Sequence, residues 1–471
     1  MRHEEYRSYD GVGLAALVAA GQVTPEELLD AALDAADARA DLNCIVADLQ
    51  QTARQAIAGV LPAGPLRGVP YALKDLWTQM EGTPTSNGSR LFAGAVGERD
   101  SEIVARLRRA GLVIFAKTNT AELGLSPTTE PGLFGPTLNP WAYEYSAGGS
   151  SGGAAAAVAS GILPAAHATD GGGSIRIPAS CCGVFGLKPT RGRITFGPER
   201  GEGWGGLSCQ HAVSRSVRDS AVLLDATAGS MPGDPYPAPP GPASYLDETT
   251  RDPGPLRIGL CLTPPGGEEV DPAGADAARR TAGRCEALGH HVVDWSWPFP
   301  EELYATTRSG MIAPWVALAV DRRLGELGRE QRTDDLDPSS ALITQMGRQT
   351  TAVQYATAVQ AVHQVSRAIG SAFEDVDVVL SPAMAVEAPR LGRLTGTDRA
   401  SLEGIQAMAA FTAVANATGQ PAMTVPLDRS PAGLPVGSHF LGRFGDEATL
   451  FRLAGQLERA HPWFARVPRF E

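Results

Sequence analysis

The sequence predicts an α/β protein, and three stretches predict it. Residues 101–111 carry Ile103, Val104 and Leu107 on one helical face and run directly into the apolar, β-competent 112–116, the helix-to-strand step from which a wound sheet is built. Residues 256–262, about 272–288 and 291–295 read as strand, helix and strand, a parallel βαβ unit. Residues 154–160 form a small-residue helix pattern, followed by an apolar run at 162–169 that ends in Asp170-Gly171-Gly172-Gly173-Ser174. That places a glycine turn where a strand should end, the usual ligand edge of such a sheet.

With 471 residues, 43% hydrophobic and 20% charged, the chain can bury a large core, arranged as two or three domains or as one large α/β unit. A net charge of −12 and a pI near 5.3 argue against direct binding of nucleic acid or an anionic membrane, since phosphate contacts need clustered Lys and Arg. The first residues, MRHEEYRSYDG, lack the apolar core of a signal peptide, and no run of about 18 apolar residues suggests a membrane span. The expectation is a cytoplasmic protein with no membrane contact. Cys44, Cys181, Cys182, Cys209, Cys261 and Cys285 show no metal-ligand spacing and read as free thiols, mainly in the core. Neither GxxxxGK[ST] nor GxGxxG occurs, so no nucleotide, other cofactor or metal is expected. Of the 40 basic residues only Lys74, Lys117 and Lys188 are lysine. Arginine cannot give up its proton to act as a base, which makes a retained lysine a candidate for that work.

Taken in order, the chain opens with a helical segment, about 1–60, in which Thr24-Pro25-Glu26-Glu27 reads as N-cap, N1 proline and capping box. Leu28, Leu29, Ala32, Leu33 and Ala36 then give a scaffold helix its apolar face. Residues 69–73 read as a buried strand leading into Lys74-Asp75, and a lysine there loses hydration and with it basicity; a surface Lys74 paired with a carboxylate is the alternative. The Pro-, Gly- and Thr-rich 118–147 is a candidate pocket wall or a long surface connection. A helix at 219–226 precedes the proline-dense 231–255, read as a surface excursion or a linker between two halves with no helix or central strand of its own. After the βαβ unit, about 299–375 is an amphipathic helical insertion, broken near 334–340, of the kind that caps a site. Strands at 376–381, 416–426 and 433–442 and a helix at 446–460 close the chain.

Two serine clusters carry the chemistry. Gly148-Gly149-Ser150-Ser151-Gly152 matches GxSxG, but the preceding AYEYSA is a poor strand for a nucleophile elbow. His167, His211, His363 and His439 are the candidate bases for that Ser-His-Asp alternative, and none sits in a telling context. Serine needs a base at neutral pH; a neutral lysine can serve, with a second serine carrying the proton between them. Lys74, Ser150 and Ser174 are the set this sequence offers for such a relay.

GGSSGG, followed by TDGGGSIRIPASCCGVFGLKPT with its serine 24 positions on, resembles the amidase signature family, and RGVPYALKD resembles its lysine motif. The likeness continues through TGQPAMTVPL, GLPVGSHFLGR and DEATLFRLA and covers most of the chain, with about 230–375 weakly matched. Within the family, SPTTEPGLFGPTLNPW most resembles bacterial amidases related to 6-aminohexanoate cyclic-dimer hydrolase. The resemblance implies a single large α/β domain over 1–471 with a mixed, mostly parallel central sheet flanked by helices. It implies hydrolysis of an amide C–N bond in a small molecule through an acyl-enzyme. Ser174 is then the nucleophile, Ser150 the bridging serine and Lys74 the base. The N–H groups of Gly171, Gly172, Gly173 and Ser174 become the oxyanion hole, and Ser151, Thr169 and Asp170 match supporting positions. The third glycine of TDGGGS departs from the family, where alanine or a larger residue is usual. The family also contains the amidase subunit of tRNA-dependent amidotransferase complexes, a second reading, and a homodimer is compatible with either. Specificity is expected to lie in 118–145, 196–212 and 300–375.

Overall fold

The structure, a computed structural model, describes residues 1–468. The opening segment folds as the sequence predicts: Thr24 accepts the Glu27 N–H, and the Glu27 carboxylate accepts the Thr24 N–H at 2.8 Å. That box starts the helix Pro25–Asp37, which buries Leu28, Leu29, Ala31, Ala32 and Ala35 against the body.

The strands, in chain order, are β1 Ile45–Asp48, β2 Pro70–Lys74, β3 Val113–Thr118, β4 Leu138–Asn139, β5 Ala142–Ser146, β6 Ala165–Asp170, β7 Phe185–Lys188, β8 Cys209–Ser214, β9 Arg257–Leu260, β10 His291–Asp294, β11 Val378–Pro382, β12 Ala422–Arg429 and β13 Pro435–Gly442. A large sheet runs β10-β9-β11-β13-β12-β7-β8-β6, and a smaller one runs β1-β3-β2. Strands from before and after the proline-rich stretch share the large sheet, so that stretch is an excursion and not a linker between halves. It also holds one helical turn, Tyr245–Glu248, capped by Ser244 and tied to Asp225 through the Tyr245 N–H at 2.6 Å.

The large sheet is mixed, as expected, but the expectation that it is mostly parallel is corrected. Only β11–β9 and β9–β10 pair in parallel. The pairs β6–β8, β8–β7, β7–β12, β12–β13 and β13–β11 are antiparallel. The βαβ unit at 257–294 is parallel because its helix, Pro272–Ala287, makes the crossover. Elsewhere the antiparallel pairs are mostly strands distant in the chain, such as β11 with β13 and β7 with β12, while β12 and β13 are joined by a short turn.

The strand read at 416–426 also changes. Residues Ala413–Thr418 are helical, Gly419 ends the helix at φ 77°, and β12 begins only at Ala422. From Val414 to Thr418 this short helix is buried, so no polar face marks its period. The helical insertion comprises Glu301–Ser309, Ile312–Leu327, Pro338–Gln349 and Ala352–Ala372. Its main break falls at 328–337, where Gly328 takes φ 61° and Pro338 reopens the helix at its first position.

Candidate active site

The site forms where β2 and β6 end side by side. Every residue of β2 is buried, and the Lys74 N–H donates to Nδ1 of His167 on β6 at 3.3 Å. That bond makes His167 a structural acceptor, and burial holds its imidazole neutral, with the pKa lowered to about 3. The helix Gly152–Ala159 brings the first serine cluster against these strand ends. Its sequence, GGAAAAVA, is small because the entire helix is buried; a Cβ on Gly153 would stand 2.4 Å from the Asn119 nitrogen.

Lys74 Nζ lies 2.7 Å from Ser150 Oγ and 2.9 Å from Thr169 Oγ1. Lys74 is fully buried and, among the described residues, has no ion-pair partner within salt-bridge distance. Burial therefore drives its pKa well below the usual lysine value, with the Asp170 carboxylate pulling weakly the other way. Ser151 joins the group through its hydroxyl, which donates to the Thr169 carbonyl at 3.2 Å. Lys117 and Lys188 are buried elsewhere, against Thr85 and against the Pro189 carbonyl.

The second cluster is shaped by Asp170. Burial opposes its ionisation, but the Arg176 guanidinium outweighs burial and holds the carboxyl well below the usual range. Arg176 grips it through Nε at 2.9 Å and Nη2 at 2.8 Å, both groups being fully buried. Asp170 also accepts the N–H groups of Gly173 at 2.8 Å and Ile175 at 3.1 Å. These bonds fold 170–176 into a turn that presents Ser174 at the end of β6. Of the four N–H groups expected to form an oxyanion hole, that of Gly173 is already donated to Asp170. Among the described residues Ser174 makes no direct hydrogen bond to Ser150.

Gly171, Gly172 and Ser174 form part of the wall of a cavity of about 300 Å³. Leu125, Trp204, Leu207, Ile343 and Met346 supply more of it from the three segments expected to set specificity. The wall at 405–417, including Ile405, was not anticipated from the sequence. Among the described residues, no Asp, Glu, Lys, Arg or His side chain lines the cavity. Of the candidate histidines, His211 bonds Ser220 and His439 lies between Arg176 and Ser381, and neither these nor His167 bonds Ser150 or Ser174.

The profile of the amidase family matches residues 27–451. The chain belongs to the amidase family. A curated member, 6-aminohexanoate-cyclic-dimer hydrolase of Paenarthrobacter ureafaciens, is 37% identical over 479 residues, covering 98% of this chain and 96% of its own. A solved structure of 6-aminohexanoate cyclic dimer hydrolase superposes with a TM-score of 0.93 at 37% identity, covering 98% of both chains. A bacterial aryl acylamidase of the amidase signature family superposes at 0.89 with 27% identity, again over 98% of both. This amidase is thus a hydrolase of carbon–nitrogen bonds on a single α/β domain. Among its described residues no helix is long and apolar enough to cross a membrane.

Four polar residues around the site of this amidase escaped the sequence. Arg176 sits in RIPAS like any surface arginine, and only its burial reveals its task. Asn416 donates to the Asp170 carbonyl at 2.9 Å and the Leu207 carbonyl at 3.0 Å, joining three segments. Thr129 donates to the Gly148 carbonyl and accepts the Gly152 N–H, fixing the first cluster. Thr412 donates to the Gly172 carbonyl. Arg176, Asn416 and Thr412 each join groups from distant parts of the chain, so no local motif could have shown them.

Proposed function

We propose that this amidase cleaves a neutral, largely apolar small-molecule amide through an acyl-enzyme on Ser174, with Ser150 as proton carrier and Lys74 as base. The observation that carries the reading is a buried lysine, without an acidic ion-pair partner among the described residues, 2.7 Å from a serine oxygen. The neutral Lys74 amine takes the Ser150 proton as Ser150 takes that of Ser174, and the Ser174 oxygen bonds to the amide carbon. The negative oxygen that develops is met by the N–H groups of Gly171, Gly172 and Ser174. Ser150, resupplied by Lys74, then protonates the departing nitrogen as the C–N bond breaks. Water, deprotonated by the same relay, releases the carboxylic acid and returns Ser174.

The cavity wall, uncharged among the described residues, supports a neutral substrate, because a buried ammonium or carboxylate would lose hydration without a partner. The named relatives add a cyclic dimer of 6-aminohexanoate and aryl amides as the compounds to try first. Incubating the protein with that cyclic dimer, its linear zwitterionic dimer and 4-nitroacetanilide tests this, with the cyclic or aryl amide expected to be cleaved and the linear dimer spared. Ser174→Ala should abolish both turnover and labelling by a fluorophosphonate, and a variant that still turns over would place the nucleophile elsewhere. Glutaminase activity that appears only with an added partner chain would instead favour the amidotransferase reading.

A further inference from the structure

We propose that Thr412 is a positioning residue for the oxyanion site, its hydroxyl and the Asp170 carboxylate clamping the Gly172–Gly173 peptide so that the neighbouring N–H groups face the cavity. The inference rests on Ser174 as nucleophile. Thr412 is fully buried at the start of the helix Ala413–Thr418. Its Oγ1 donates to the Gly172 carbonyl at 2.7 Å, while its next acceptor, the Ala409 carbonyl, is 3.5 Å away. The N–H of that same peptide unit, on Gly173, donates to Asp170 Oδ1 at 2.8 Å.

A peptide unit is rigid and planar, so holding its carbonyl at one end and its N–H at the other fixes its rotation. Without that hold the flanking glycines, free of the side-chain restriction on φ and ψ, would let the plane turn and carry the Gly172 and Ser174 N–H groups away from the cavity. Both ends of the clamp share one guanidinium: Arg176 donates to the Thr412 carbonyl at 2.7 Å and to both Asp170 oxygens.

The clamp also accounts for the third glycine of TDGGGS. Gly173 takes φ 138°, and a Cβ there would lie 2.3 Å from Thr412 Oγ1. Any side chain at 173 would push the hydroxyl off the Gly172 carbonyl. Glycine at 173 and threonine at 412, 239 positions apart in the chain, therefore act as one device.

The test is the second-order rate at which a fluorophosphonate labels the full chain, since that reaction also develops charge on an oxygen in the hole. Thr412→Ser and Thr412→Ala both lose the γ-methyl and differ only in the hydroxyl. The serine variant is expected within about threefold of wild type, and the alanine variant roughly tenfold or more slower at every pH. The pH midpoint of labelling, a property of the Lys74 relay, should be unchanged in both. Thr412→Val, which keeps the shape and lacks the donor, is expected to match alanine. Thermal melts read alongside separate slow labelling from poor folding. An alanine variant within twofold of the serine variant overturns the proposal, as does a shifted midpoint. Labelling that survives in Ser174→Ala sinks the nucleophile assignment instead, so the two failures are told apart.

Discussion

In the proposed relay Lys74 does work that an arginine in its place could not. Its amine must be neutral to accept the Ser150 proton, and burial supplies that by penalising the charged form. Activity should therefore rise with pH as Lys74 loses its proton, with a midpoint well below the usual lysine value. Lys74→Ala should erase this limb in a kcat/KM pH profile and cost roughly a hundredfold or more, and Lys74→Arg should be as inactive. Arg176 illustrates a different dependence. With Asp170 fully buried beneath it, Arg176→Met leaves a carboxylate with no cation, at a cost on the order of 3–5 kcal/mol in urea denaturation. Adding Asp170→Asn should recover part of the loss, because the unpaired charge goes with it.

At the scale of elements, two helices bear on the site in different ways. The helix Gly152–Ala159 has no exposed side, and Ala156 within it is fully buried. Ala156→Leu should cost about 1–3 kcal/mol by overpacking, read as a lower denaturation midpoint. Turnover should fall with it, since Ser150 is carried at the start of this helix. The helix Pro338–Gln349 instead contributes Ile343 and Met346 to the cavity wall. Met346 lines the cavity yet is half exposed, so a charge there can be hydrated. Met346→Glu should leave folding intact, raise KM for a neutral amide several-fold and favour amides that carry an amine, as a substrate panel would show.

At the scale of the whole molecule, three distant segments meet at a cluster of acids. Asp219 accepts the N–H groups of Gly11 and Val12, Arg218 pairs with Asp10, and Glu458 accepts the Val217 N–H at 3.1 Å. Burial raises Asp219 and Glu458 to about 7. A carboxyl whose folded pKa is raised contributes stability that is full below its unfolded value, near 4.3 for glutamate, and lost as pH rises through the folded one. Glu458→Gln, neutral throughout and able to keep the Val217 bond, should thus raise Tm by about 1–3 °C at pH 8 and change it little at pH 5.

Most of the elements were legible because their signals are local: capping box, helical period, glycine turn, and the run of 69–73 into Lys74. Lys74 and Ser150 stood out as a lysine at the end of a buried strand and a serine among glycines, and the structure brings them within 2.7 Å. The sense of strand pairing was mostly not legible, since neighbours such as β11 with β13 and β7 with β12 are distant in the chain and leave no local trace, β12 and β13 across their short turn being the exception. Nor were Arg176, Thr412 and Asn416, whose roles exist only once β6, the turn after it and residues 412–416 share a buried volume. The sequence by itself determined which groups could do the chemistry. Tertiary structure decided that the Gly173 N–H is not free for it, because a hydrogen bond already given to Asp170 cannot be read from the order of residues.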